Sequence, residues 1–299
     1  MSKAYNRQAP ASRFTSSPYS GRRGVLATMH GKEAAISPAF RKRLGLRVET
    51  PMGLDTDALG TFTGEIARVG TIRETAIAKA RLGMAAVGIP IGIASEGSYG
   101  PHPLIPFIAG GIELMALVDD DRGIVVCEHL IDDAPAYDHV ITAEIGHIDS
   151  FLDRVRFPDH ALIVRPHQTD GSEVMIHKGL RTVEALANAI ASVAGRSDDK
   201  RALVQTDMRA HMNPTRMATI SRLANSLCDR LATLCPGCAM PGYGLVDVEY
   251  GLPCEWCGAP SLMALHYVFG CVACDFSEKR PRPDGRTSAD PGQCPKCNP

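Results

Sequence analysis

Eight of the ten cysteines in this 299-residue chain stand in four C-x-x-C pairs: Cys235/Cys238, Cys254/Cys257, Cys271/Cys274 and Cys294/Cys297. Stretches of 15, 13 and 19 residues separate them. A C-x-x-C turn sets two thiolates on one side of a tight knuckle, and two knuckles complete a tetrahedral zinc site. Eight such ligands predict two zinc ions. Four thiolates fill each coordination sphere, so both ions are expected to be structural. Iron–sulfur clusters take the same donors, but separated, evenly spaced pairs suit zinc better. The pairing of knuckles stays open. Two successive ribbons, first with second and third with fourth, is the arrangement we favour. Second with third inside an outer clasp, or an alternating cross-brace, are the other options. A segment this short builds little core, so each metal is expected to supply folding free energy on the order of 10 kcal/mol.

This cysteine pattern points to metal binding in a reducing, cytoplasmic setting rather than to disulfides. Cys127 and Cys228 stand alone in apolar surroundings, as expected of core thiols. The formal net charge of −1 argues against a protein that coats nucleic acid generally. No apolar run reaches the roughly 20 residues of a membrane span, so no membrane partner is expected. Residues 1–20 are basic and read as a disordered arm, with a transit peptide as the alternative.

Residues 21–234 alternate strand-like and helix-like segments. That alternation predicts an α/β domain with a mixed, mostly buried sheet flanked by helices, followed by a small zinc-ribbon domain over 235–299. "RGVL", "LRVETPM", "IPIGIA", "IELMALVDD", "GIVVCEHL", "HALIVRP" and "KRALVQT" read as strands. "DDDRG" makes the fourth and fifth an antiparallel hairpin. "TIRETAIAKARLGMAAVG", "TAEIGHIDSFLDRV", "KGLRTVEALANAIASVAG" and "PTRMATISRLANSLCDRLATL" read as helices, the last capped by Asn213 with Pro214 in its first turn.

Four polar stretches fall at predicted strand ends or helix starts. "ATMHGKE" holds Thr28, His30 and Lys32, and small residues with a lysine at a helix start suit a phosphate. "RETAIAKA" holds Glu74 and Lys79. "IASEGSYG" sets Glu96 among small residues where a strand is expected to stop. "TDMRAHMNPTR" crowds Asp207, Arg209, His211, Asn213 and Arg216 into one turn. Converging on one sheet edge, these residues predict a Mg²⁺- or Mn²⁺-dependent phosphate site. Glu74, Glu96 and Asp207 would hold the ion, and Lys32, Lys79, Arg209 and Arg216 would offset phosphate charge. Thr28, His30, His211 and Asn213 would bind substrate. "DTDALGTFTGE" reads as a lid, with Gly60 and Gly64 permitting motion and Thr61 and Thr63 facing phosphate oxygens. His102 and His167 are expected to be structural.

The order "LATMHGKE", "ETAIAKA", "IGIASEGSYG" resembles the inosine-triphosphate pyrophosphatase superfamily, which includes the Maf-like proteins. The resemblance implies an α/β fold with a central cleft and Mg²⁺-dependent hydrolysis of nucleoside triphosphates. It implies that Thr28 and Lys32 face the triphosphate, Glu74 and Glu96 hold metal and Lys79 contacts phosphate. His30 and Thr75 stand where that superfamily has Asn. The whole chain also resembles an uncharacterised bacterial family with an α/β body and zinc-ribbon tail. The expected partner is therefore a small phosphorylated substrate or nucleotide. The alternative is a non-enzymatic module whose tail binds nucleic acid, through Trp256, Tyr267 and the basic run at 277–286, or a protein.

Overall fold

The computed structural model describes residues 17–60, 66–102, 107, 109–168 and 175–299. Its first sheet has five strands: β1 (Arg23–Leu26), β2 (Arg47–Glu49), β3 (Ile91–Pro101), β4 (Ala109–Asp119) and β5 (Ile124–Asp132). Their order is β2-β1-β3-β4-β5. The first three run parallel and the rest antiparallel, so the sheet is mixed as expected. Helix α1 (Glu33–Leu44) and helix α5 (Pro214–Ala232) cover one face. There Leu26, Ile36, Phe40, Ile91, Ile93, Met115, Leu117, Leu223 and Leu227 form the main core. Helix α2 (Ile72–Val87) covers the other face, over Val25, Ala94 and Val118. Gly92 permits that approach, because a Cβ there would meet Met84 Sδ and the Ala80 carbonyl oxygen at 2.7 Å.

Between β5 and α5 the chain builds a second, antiparallel sheet. It comprises β6 (His139–Thr142), β7 (Leu162–Pro166), β8 (His177–Leu180) and β9 (Ala202–Thr206), in the order β6-β9-β7-β8. Helices α3 (Asp149–Arg154) and α4 (Val183–Ala194) close its apolar face. The sequence reading did not separate this sheet from the first. It also placed residues 178–182 in the following helix, whereas Thr182 caps α4 and the preceding residues pair with β7. Only six residues of the helix expected over "TAEIGHIDSFLDRV" are α-helical. Tyr19, assigned to the mobile arm, is fully buried in the main core with the Arg122 guanidinium 5.1 Å from its ring centre.

The C-terminal region is a three-stranded antiparallel meander of β10 (Gly244–Tyr250), β11 (Ala264–Gly270) and β12 (Ser277–Pro281). It follows α5 directly and docks on the body. Val272 packs against the main core. Arg230 of α5 donates to the Gly242 carbonyl at 3.0 Å and the Cys127 carbonyl at 2.9 Å. Cys228 is buried in the main core and Cys127 is half-buried on β5.

Candidate functional site: a cationic crevice and two cysteine clusters

β3 does not stop at Glu96. It runs on to Pro101 beside β4, while its other neighbour, β1, ends at Leu26 opposite Ile93. Past that point one edge of β3 has lost its strand partner. A carbonyl left so needs another donor. Lys32, at the end of the loop into α1, donates to the Ser95 carbonyl at 2.9 Å, and Arg68 donates to the Gly97 carbonyl at 2.8 Å. This charged cluster is therefore placed by the unequal length of neighbouring strands, at the carboxyl ends where open α/β sheets place ligands.

Strand alternation divides the adjoining charges between the two faces. Glu96 points to the α2 side, where Lys79 meets it at 2.8 Å and Arg68 at 3.3 Å. Burial works against the Glu96 carboxylate, but Lys32, Lys79 and Arg68 more than offset that and hold its pKa below the usual value. On the opposite face Glu113 of β4 lies across from Gly97. Its Oε1 accepts from Arg216 Nε at 2.6 Å and from the Tyr99 hydroxyl at 2.6 Å. A Cβ on Gly97 would stand 2.5 Å from both Arg216 Nη2 and Glu113 Oε1, so glycine makes room for the pair. Lys32 joins the two halves. It is buried, and its pKa is lowered to about 8, by burial first and then by Arg216. Glu113, Glu96 and Lys79 are the other charges acting on it. Arg68, Glu113 and Tyr99 had no place in the sequence reading. A β4 pairing register would have put Glu113 beside the glycine after Glu96.

A second polar group adjoins the first. The His30 and His211 rings stack with centroids 5.3 Å apart, and His30 Nε2 lies 3.4 Å from Asp57. Burial is the main cause that lowers both histidines, His30 to about 4. Asp207 follows β9 and is fully buried. Its carboxylate accepts from Arg209 Nε and Nη2 and from the Gly179 amide at 3.1 Å. Thr28 Oγ1 accepts the His30 amide, and Asn213 caps α5 by accepting the Arg216 amide at 2.9 Å.

Glu74 is not brought to this group. Its carboxylate accepts the Thr71 amide at 2.8 Å, and Thr71 Oγ1 accepts the Glu74 amide, a reciprocal cap on α2. Glu74, Glu96 and Asp207 thus form no common ligand set. Among the described residues only cysteines bring three or more metal-ligand atoms together. Thr61, Thr63 and Gly64 of the expected lid lie outside the described residues, while Gly60 lies within them. His102 and His167 pair with Asp133 and Asp199.

The cysteines gather as Cys235, Cys238, Cys271 and Cys274, and as Cys254, Cys257, Cys294 and Cys297. This is the alternating arrangement, and it corrects the successive pairing we favoured. The meander explains it. The first knuckle precedes β10 and the third joins β11 to β12, at one end of the sheet. The second joins β10 to β11 and the fourth follows β12, at the other end. Seven-residue strands hold the two ends about 20 Å apart, so neighbours in sequence cannot share an ion.

Across these groups the sulfurs lie 3.8 Å (Cys235–Cys274), 3.6 Å (Cys238–Cys271), 3.9 Å (Cys254–Cys297) and 3.7 Å (Cys257–Cys294) apart. A tetrahedron with zinc–sulfur bonds of about 2.3 Å has edges of about 3.8 Å, so both sets fit zinc. The Gly237 and Ala273 amides donate to Cys235 and Cys271 sulfur at 3.3 Å, which steadies thiolate charge. Each ion would cross-link two strand connections that have little apolar packing of their own.

The fold and these clusters define an α/β protein with a C-terminal ribbon whose two four-cysteine clusters could each hold a metal ion. Comparison with known proteins places the chain within a recognised group. The family model described as "Domain of unknown function (DUF6671)" matches residues 79–299, and the chain belongs to that family. The match spans the ribbon, the second sheet and the site residues from Lys79 onward. No curated protein matches the chain.

Proposed function

We propose that the α/β body binds a phosphate ester at the free edge of β3 and hydrolyses it. The observation that carries this reading is a charge imbalance in a buried place: Lys32, Lys79 and Arg216 stand against Glu96 and Glu113, with the exposed Arg68 adding a cation at the rim. Unbalanced buried charge is costly, and an oxyanion with several acceptors removes the imbalance. The same donors stabilise charge that develops on phosphoryl oxygens during transfer. Glu74 and Asp207 are committed elsewhere, which leaves Glu96 as the acid at the crevice. A divalent cation in this reading arrives with the substrate, held by phosphate oxygens and one carboxylate, a mode that suits Mg²⁺. Nucleoside triphosphates are one member of the substrate class.

The test is release of inorganic phosphate or pyrophosphate from a panel of phosphate esters, with and without Mg²⁺ or Mn²⁺. Turnover that disappears in both Lys32→Met and Glu96→Gln is the expected result. Turnover unchanged in both variants overturns the assignment, and so does the lack of any turnover.

The ribbon favours a second reading, a docking module for a protein partner. Trp256, Tyr250 and Leu262 are exposed on it. Its basic run is paired internally: Lys279 with Glu249, Arg280 with Glu278, and Arg282 and Arg286 with Asp284. That pairing weighs against nucleic acid. Tight DNA or RNA binding with a steep salt dependence would reverse the order.

A further inference from the structure

The acids of the charged cluster make poor proton acceptors, because each is already held by cations. Glu96 is paired with Lys79 and Arg68, Glu113 with Arg216, and Asp207 with Arg209. The loop from β1 into α1 supplies a different base. His30 stands two residues before Lys32, and Gly31, at φ +65°, turns the chain between them. The Thr28 hydroxyl accepts the His30 amide at 3.2 Å. The ring stacks on His211, from the turn Ala210–Met212, and its Nε2 lies 3.4 Å from Asp57 Oδ1, at the start of the turn Asp57–Leu59. A carboxylate at one ring nitrogen keeps the proton there and leaves the lone pair on the other. That other nitrogen, Nδ1, has no hydrogen-bond partner among the described residues. The His30 side chain is 20% exposed and that of Asp57 33%, so water reaches the pair.

We propose that His30 is the general base that activates water beside Lys32, and that Asp57 is the residue that positions it. The inference rests on the phosphate-ester reading and adds to it the proton acceptor. In the step, a water oxygen bonds to phosphorus while His30 Nδ1 takes one of its protons. The bond from phosphorus to the leaving oxygen breaks, its electron pair stays on that oxygen, and a proton from bulk water joins it. His30 returns its own proton to bulk water, so water and substrate give phosphate and the leaving group. The charges around the ring suit this order. Burial lowers the His30 pKa to about 4; Asp57 works against that, while Lys32, His211 and Arg209 add to it. The free ring is therefore unprotonated at neutral pH. A phosphate anion beside Lys32 offsets the cations and raises the proton affinity of the ring when a proton has to be taken.

The experiment is hydrolysis of 4-nitrophenyl phosphate and ATP by the full zinc-loaded chain with Mg²⁺ at pH 7, beside calorimetric titration with inorganic phosphate. His30→Ala should lower kcat about a hundredfold or more, keep phosphate affinity within about threefold and regain about tenfold in rate with free imidazole, as for a lost general base. Asp57→Asn removes the charge that raises the ring's pKa. It should lower the His30 titration midpoint read by proton NMR and lower kcat about tenfold, and it carries the test alone if His30→Ala does not fold. The inference falls, and the phosphate-ester reading stands, on any of four results: kcat close to the parent's in either variant, a loss confined to KM, a loss that imidazole does not reverse, or an unmoved midpoint. If the parent chain turns over neither substrate, both fall.

Discussion

Replacing Glu113 with Gln keeps the shape of the side chain and removes its charge. Glu113 is fully buried, with 0% accessible surface, and Arg216 retains only 4%. The guanidinium also meets the Met208 carbonyl and the Tyr99 ring, its carbon 5.4 Å from the ring centre. Glu96, on the opposite face of β3, also acts on Arg216 but is already paired with Lys79. The variant therefore removes the ion pair that Arg216 makes with Glu113 at 2.6 Å and leaves the buried guanidinium beside Lys32. Removing one partner of a buried pair costs about 3–5 kcal/mol, a large share of the 5–15 kcal/mol that holds a typical protein folded. Arg216→Met alone leaves an unpaired buried carboxylate and should cost a similar amount. The double variant E113Q/R216M leaves neither charge, and its loss should fall short of the sum of the single losses by about 2 kcal/mol or more. Urea unfolding followed by circular dichroism, with zinc present throughout, measures all three. A loss below about 1 kcal/mol for Glu113→Gln, or simple additivity in the double variant, would refute the claim that this pair is an obligate buried unit.

Two further outcomes are expected. Burial, with Arg216 next, lowers Lys32 from 10.5 to about 8, so the unfolded chain binds more protons than the folded one between about pH 8 and 10.5. Stability from this lysine accordingly rises with pH across that window, and Lys32→Met flattens the rise. Phosphate affinity runs the other way and weakens as pH climbs through about 8, which titrations at pH 7 and 9 compare. For the ribbon, elemental analysis should find two zinc ions per chain, with Cys235→Ser and Cys254→Ser each losing one. Val272, beside the first cluster, packs on the body core, so Cys235→Ser should lower the unfolding midpoint of the body and Cys254→Ser should spare it. Equal effects on the body would show that the clusters are not differently placed.

Several residues of the candidate site stand out in the sequence because their local chemistry is unusual. Lys32 follows a small-residue turn at a helix start, and the density at 206–216 exceeds that of an ordinary loop. Glu74 misled because a carboxylate three residues after a threonine at a helix start has two uses, and capping won. Glu96 was singled out for the wrong local reason. The carboxylate lies beyond the point where the neighbouring strand ends, and β3 itself continues. Glu113 sits in the near-continuous apolar run "IELMALVDD", which marks a buried strand and says nothing about what meets the glutamate. Arg216 reaches it from 103 residues away along the chain.

Composition and spacing by themselves determined that eight thiolates would gather in fours, because C-x-x-C geometry is local and each knuckle is complete within four residues. They determined the α/β character of the body for the same reason, since hydrophobic periodicity is a property of short windows. Which knuckles share an ion was decided by the up-and-down path of three strands, which sends successive knuckles to opposite ends of a sheet. Which charges meet in the crevice was decided by strand register and by the early end of β1. Those are relations between segments far apart in the chain, and no local pattern encodes a distance between two segments until both are packed.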